Sequence, residues 1–238
     1  MPLPVYFYYK ETIALLLYFL MKILYYNSSF LQIVKGKSLG KRLSFEEAIV
    51  KRIKEASMHK MTQANLRSAF GGESMARNRY NIWGQVADKE GFPNVKRLFD
   101  ATAEAEKIHA GLHFKAMKEI HGDFDVTAGG GFGIGTTAEN LQGAIDGETF
   151  EFTEMYPAYI QVAEMQEEQA AVRAMRFAIE AEKVHAKMFG IAKDAVAQGK
   201  DLTVEDAVYL CPVCGFVALS KEENCPICGC AAAKFIAY

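Results

Sequence analysis

Residues 104–110 read Glu-Ala-Glu-Lys-Ile-His-Ala, and residues 180–186 read Glu-Ala-Glu-Lys-Val-His-Ala. Each copy holds Glu-x-x-His, as Glu106/His109 and Glu182/His185. Three residues apart on a helix, the two side chains share one face. That face is otherwise apolar. Steps of three and four from one copy give Phe99, Thr102, Glu106, His109, His113 and Ala116, and from the other Met175, Ala178, Glu182, His185, Phe189 and Ala192. A carboxylate and an imidazole at the centre of a core-facing stripe restrict the chain to folds that can neutralise them.

The preceding segments carry matching acids. One stripe runs Ala69, Glu73, Ala76, Tyr80, Trp83, Ala87, and another runs Leu141, Ile145, Glu148, Glu151/Phe152, Met155, Tyr159. Glu73 and Glu106 are centred on the turn signal Glu90-Gly91, and Glu148 and Glu182 are centred on Met165. In an antiparallel helical hairpin, residues equidistant from the turn lie level. Two such hairpins bring Glu73, Glu106, Glu148, Glu151, Glu182, His109 and His185 to one layer. Even one buried ionised group costs several kcal/mol. Two cations relieve that cost. A Glu from each of two helices plus Glu-x-x-His from each of the other two is a dinuclear carboxylate ligand set in a four-helix bundle, suited to iron or manganese. A lone Glu-x-x-His is usually a solvated face; the matched second copy and the level partners lift this one above that reading. Glu151 could lie outside the ligand set. His113 reads as core or as a support for the ligands, and His59 and His121 as surface. Tyr80 and Tyr156 read either as packing or as hydrogen-bond partners of the ligand carboxylates.

The remaining breakers set the organisation. Four helices are expected, at about 62–89, 93–121, 137–165 and 168–197. Pro157 should kink the third or shift its register. Gly129-Gly130-Gly131 with Gly133 and Gly135 lacks the Lys-Ser/Thr of a phosphate loop and follows no strand, so it is read as a flexible crossover. Residues 44–200 are assigned to the bundle and 204–238 to a cysteine-rich tail too small to fold without a metal. Residues 1–43 form an extension of uncertain status. Its apolar run 12–21 falls short of the ~20 residues needed to span a bilayer. It also lacks a convincing secretory cleavage site. The expected location is the cytoplasm.

All five cysteines lie between Cys211 and Cys230, which excludes a disulfide scaffold for the rest of the chain. Cys211-Pro-Val-Cys214-Gly and Cys225-Pro-Ile-Cys228-Gly are two Cys-x-x-Cys knuckles, the pattern of a tetrahedral four-thiolate site for zinc or a single iron. Cys230 reads as a spare thiol. Lys+Arg 27 against Asp+Glu 29 leaves a net charge of −2, without the basic excess of a nucleic-acid binder.

Together, Phe70-Gly-Gly-Glu73-Ser-Met-Ala-Arg-Asn-Arg-Tyr80, the two Glu-Ala-Glu-Lys-x-His copies, Gly147-Glu148-Thr-Phe-Glu151 ahead of Met155-Tyr156-Pro157, and the paired knuckles resemble the rubrerythrin family over about residues 58–238. The resemblance implies a mainly α chain, a ferritin-like four-helix bundle followed by a small rubredoxin-like domain. It tips the tail's metal from zinc toward iron, although the spacing between the knuckles is a little short. It implies that Glu106 and Glu182 bridge two irons, that Glu73 and His109 serve one and Glu148 and His185 the other. Glu151 is then the family's extra carboxylate, which can exchange with His109, and Tyr80 and Tyr156 are its supporting tyrosines. Residues 1–57 have no clear counterpart. The implied activity is reduction of hydrogen peroxide to water, with an external electron-donor protein of the rubredoxin type feeding Fe(Cys)4 and a head-to-tail homodimer in which electrons cross between subunits. A ferroxidase or iron-storage protein and a zinc-loaded non-enzymatic metal binder are the rival readings.

Overall fold

The computed structural model describes residues 58–238; the apolar run at 12–21 and the expected boundary at 44 lie outside the described residues. Helix α1 (Lys60–Lys89) starts where the backbone N–H and ring of His59 both meet the Glu168 carboxylate. It ends at Gly91, whose φ of +88° reverses the chain at little steric cost. Pro93 opens α2 (Pro93–Ala116) at a position where no N–H is needed. The next two N–H groups, of Asn94 and Val95, donate to the distant Asp201 carboxylate at 2.8 and 3.2 Å, which caps the helix from outside it.

Helix α2 stops at Ala116 rather than near 121. Met117 and Lys118 fall back to bonds with carbonyls three residues earlier, the tightening common at helix ends. The connection to 136 is longer than expected and mostly exposed, but it is tethered to α1 at several points. Trp83 Nε1 donates to the Gly133 carbonyl (3.0 Å), Ser68 donates to Thr127 (2.9 Å), and Arg67 stacks on Phe124.

Helix α3 (Thr137–Phe150) begins with a capping box in which Thr136 and Glu139 satisfy each other's backbone N–H. The expected single helix 137–165 is then interrupted. Glu151–Met155 forms a π-helical turn, with the Tyr156 N–H reaching back to the Glu151 carbonyl, before α4 (Tyr156–Met165) resumes. The cause is Pro157, which brings no N–H and whose ring crowds an ordinary α-turn. Helix α5 (Gln169–Ala197) completes the bundle.

Two apolar clusters sandwich the middle of the bundle. At one end Tyr80, Trp83, Phe99 and Phe189 interlock, with Phe99 and Phe189 centroids 5.1 Å apart. At the other are Leu66, Met117, Tyr156 and Met175. The buried stripes that face the middle are rich in alanine (Ala69, Ala76, Ala105, Ala178, Ala181), which leaves room for the larger acidic and imidazole side chains.

The tail forms a small antiparallel sheet, ordered β2-β1-β3, from β1 (Tyr209–Leu210), β2 (Val217–Ala218) and β3 (Ile236–Ala237). Leu202, Val208, Leu210 and Val217 are buried in the bundle's aromatic cluster, so the tail packs on the helices. Among the described residues no helix is long and apolar enough to cross a membrane.

Candidate metal centres

The level layer expected from the hairpin arithmetic is present. Glu73 (α1), Glu106 and His109 (α2), Glu148 (α3), and Glu182 and His185 (α5) are all fully buried. Their donor atoms form two overlapping groups, Glu73–Glu106–His109–Glu182 and Glu106–Glu148–Glu182–His185, within which all atoms lie within 4.8 Å of one another. Glu106 and Glu182 belong to both.

The polar atoms in this layer are poorly satisfied by the protein itself. Glu73 Oε2, Glu106 Oε1, Glu148 Oε2, both Glu182 oxygens and His185 Nδ1 are buried without a hydrogen-bond partner. Both imidazole Nδ1 atoms lie 2.7 Å from Glu182 oxygens, yet not in hydrogen-bond alignment. Buried polar groups are rarely orphaned, and a cluster of orphans aimed at one point fits shared cations. Four carboxylates also balance the charge of two divalent ions.

Charge crowding without a cation divides the group. Burial, then the charges of Glu151, Glu106 and Glu182, push Glu73 well above the usual carboxylate range. Burial and the Glu106 and Glu182 charges do the same to Glu148. Burial also pushes on Glu182, but the two imidazoles outweigh it and hold Glu182 low. Burial opposes protonation of His109, and the Glu182 and Glu106 carboxylates override it, raising His109 to about 10. His185 is likewise raised.

The surrounding residues fix orientation. Tyr80 on α1 donates to Glu148 Oε1 at 2.5 Å, and Tyr156 on α4 donates to Glu73. Both phenols are raised well above their usual range, first by burial and then by the carboxylate each one faces, so both stay protonated donors. His113, outside the predicted set, lies 2.8 Å from the Tyr156 oxygen through Nε2 and is fully buried. Burial, then the charge of His109, lowers it to about 3, so its ring is neutral. Because Tyr156 gives its proton to Glu73, His113 must donate Nε2–H. Glu151 stands at the start of the π-turn, half-buried and outside both four-residue groups, and its charge acts on Glu73 from nearby.

In the tail, Cys211, Cys214, Cys225 and Cys228 converge with all sulfurs within 4.8 Å and none joined in a disulfide. The Sγ separations of 3.5 Å (211–228) and 3.4 Å (214–225) are close to the roughly 3.8 Å edge of a tetrahedron with ~2.3 Å metal–sulfur bonds. Cys211 is lowered to about 4 because Cys214 donates to it, which leaves a thiolate suited to a cation. Cys230 lies outside the group.

One pair of contacts had no signal in the sequence. The Nε2 of His109 lies 2.9 Å from the Cys214 carbonyl, and the Nε2 of His185 lies 2.9 Å from the Gly215 carbonyl. Donation from Nε2–H to a carbonyl directs each Nδ1 into the carboxylate layer, the tautomer a metal ligand needs. Both rings therefore join the two clusters, and they do so within one chain.

Comparison with known proteins agrees with this geometry. The rubrerythrin family model matches residues 64–193. Rubrerythrin-2 of Clostridium acetobutylicum is 50% identical over 179 residues, covering 75% of this chain and 97% of its own length. Nigerythrin of Nitratidesulfovibrio vulgaris is 33% identical over 178 residues, covering 74% of this chain and 86% of its own. A solved structure of nigerythrin in a mixed-valence state superposes with a TM-score of 0.68 at 31% identity, over 77% of this chain and 89% of that one.

Proposed function

Because the chain belongs to the rubrerythrin family, we propose that it is a non-haem peroxidase that reduces hydrogen peroxide to water, fed with electrons through the four-cysteine centre. The family's cofactors, two irons in a carboxylate site and one iron held by four cysteines, match the donor sets found here. Glu106 and Glu182, which belong to both four-residue groups, would serve the pair in common, with Glu73 and His109 completing one group and Glu148 and His185 the other. Cys211, Cys214, Cys225 and Cys228 are assigned to the third iron. When bound, the iron pair supplies the two electrons that, with two protons, convert one peroxide into two waters.

The chain's own residues hold that chemistry in place. Tyr80 and Tyr156 steady Glu148 and Glu73 by hydrogen bonds, and His113 keeps Tyr156 pointed at Glu73. Glu151 is the carboxylate available to exchange with His109 when the charge of the site changes. The aromatic and aliphatic clusters above and below keep bulk water from the layer.

The observation that carries the reading is the pair of histidine-to-carbonyl contacts. Storage of iron needs no thiolate centre pressed onto the ligand histidines, whereas repeated reduction of peroxide needs a route for returning electrons. These contacts supply such a route between the two centres. A homodimer and an external donor protein of the rubredoxin type remain part of the reading.

Anaerobically reduced protein titrated with peroxide tests it. Oxidation of the dinuclear site should be complete at about one peroxide per site. A reduced pair that peroxide leaves unoxidised would sink the proposal. Cage-sized particles in light scattering would favour storage, and a colourless, zinc-filled tail in protein purified from its native host would favour the non-enzymatic reading.

A further inference from the structure

We propose that His113 is a positioning residue for Glu151: by holding the Tyr156 phenol it pins the exit of the π-turn, so that Glu151 can move while Glu73 keeps its tyrosine. The movement of Glu151 rests on the peroxidase reading; the pin is a property of the fold.

The π-turn carries Glu151 with little packing behind it. None of the residues Glu151–Met155 is buried, and Met155 only leans on the cluster of Leu66 and Met175. The turn is therefore defined by what flanks it. On the entry side Glu148 is fully buried and accepts from Tyr80. On the exit side Tyr156 is fully buried, and its N–H closes the turn onto the Glu151 carbonyl. Where that N–H sits follows from where the tyrosine ring sits. Two contacts fix the ring, one to Glu73 and one, at 2.8 Å, to Nε2 of His113.

The two tyrosines provide an internal control. Tyr80 lies within a regular helix, and its ring is wedged among Trp83, Phe99 and Phe189, with centroids 5.8, 5.8 and 5.3 Å away. Among the described residues its phenol bonds Glu148 alone. Tyr156 opens α4 straight after the irregular backbone, and its aromatic partner is His113, at 5.7 Å between centroids. A tyrosine held by aromatic packing in a regular helix needs no second anchor; one at the end of a widened turn does. The imidazole is costly where it sits. It is fully buried and its Nδ1 has no partner, a penalty that an apolar residue on the same stripe would avoid. His113 also stands outside both four-residue groups, whereas Glu73 belongs to one of them. The grip of Glu73 on the phenol therefore changes when an ion arrives or leaves, and that of His113 persists.

The full chain is compared with His113→Leu, which removes the contact, and with His113→Gln, whose amide reaches as far as Nε2 and restores it. Met117→Leu, in the same apolar cluster as Tyr156, controls for altered packing. Hydrogen exchange at residues 152–156 is followed in metal-free and in zinc-loaded protein. His113→Leu should exchange about 10-fold or more faster there, with exchange elsewhere in the bundle unchanged, while His113→Gln and Met117→Leu stay near wild type. The difference between metal-free and loaded protein should widen in His113→Leu, because Glu73 then holds the phenol alone. In iron-loaded protein, turnover should fall in His113→Leu at unchanged KM for peroxide and recover in His113→Gln. Should His113→Leu not fold, His113→Asn, whose amide stops short of the phenol, takes its place. No change at 152–156, an equal change in the Leu and Gln variants, faster exchange spread through the bundle, or unaltered turnover in a variant that exchanges faster would each overturn the proposal. A wild-type pair that peroxide leaves unoxidised would instead defeat the peroxidase reading, and the exchange comparison would still decide the pin.

Discussion

The bundle consists of two hairpins that carry the same set of buried donors on different backbones. In the first, α1 and α2 are regular, and Tyr80 follows Glu73 by seven residues. In the second, Tyr156 follows Glu148 by eight, and the π-turn Glu151–Met155 absorbs the extra residue. Seven residues are close to two α-turns; eight restore the same phase only because one turn is widened. The tyrosines then cross: the first hairpin's Tyr80 holds the second's Glu148, and the second's Tyr156 holds the first's Glu73. A repeat can thus absorb an insertion at an active layer, provided the phase is recovered before the next contact. The inserted turn also brings Glu151, which has no counterpart in the first hairpin.

The largest effect should separate shared from unshared ligands. Glu106→Ala or Glu182→Ala removes a donor from both four-residue groups, so metal analysis should find the pair empty and turnover down by about 10³-fold or more, with the thiolate colour intact. Glu73→Ala or Glu148→Ala should leave one ion bound. Equal metal loss in all four would erase the distinction between the groups.

Next is the π-turn itself. Deleting Thr153 together with Pro157→Ala should convert the second hairpin to the spacing of the first. Tyr156 should keep its hold on Glu73, seen in a crystal structure, while the approach of Glu151 is lost and turnover falls roughly 10-fold. A deletion that leaves turnover unchanged would make the π-turn a mere accommodation of Pro157.

The crossed tyrosines should give matched, smaller effects. Tyr80→Phe and Tyr156→Phe each orphan one ligand oxygen, costing about 1–3 kcal/mol in the loaded state. Calorimetric metal titration should show Tyr80→Phe weakening the Glu148 side and Tyr156→Phe the Glu73 side. The reverse assignment would break the crossing.

Loading should also release protons. In metal-free protein, burial raises Glu73, Glu148 and Glu151 well above the usual carboxylate range, which favours their protonated forms, and His109, raised to about 10, is an imidazolium at neutrality. A cation displaces these protons, so binding weakens as pH falls. Zinc added to weakly buffered protein should acidify an indicator dye; alkalinisation would contradict the protonated layer.

The buried donor layer could be read in the sequence because each Glu and each Glu-x-x-His pair repeats at helical spacing around a turn. Glu73, Glu106, Glu148 and Glu182 lie on stripes whose phase is local, and antiparallel hairpins convert equal distance from a turn into equal height. The four cysteines were legible for the same reason, each pair lying within one tight turn. The Pro157 distortion was expected from its missing N–H, but not its form as a π-turn. The end of α2 was placed late because Lys118 to Ile120 have acceptable helix propensity and nothing local marks Ala116 as the last turn. His113 lay on the stripe, but its bond to Tyr156 depends on a helix distant in sequence.

The sequence alone determined which side chains face inward and which metals they suit, since periodicity and donor chemistry are properties of short segments. Only the tertiary structure decided that Asp201 caps α2, that the tyrosines cross between hairpins, and that the first knuckle rather than the second rests on the histidines. Those contacts join residues separated by tens of positions, and no local pattern encodes where two surfaces so distant in sequence will meet.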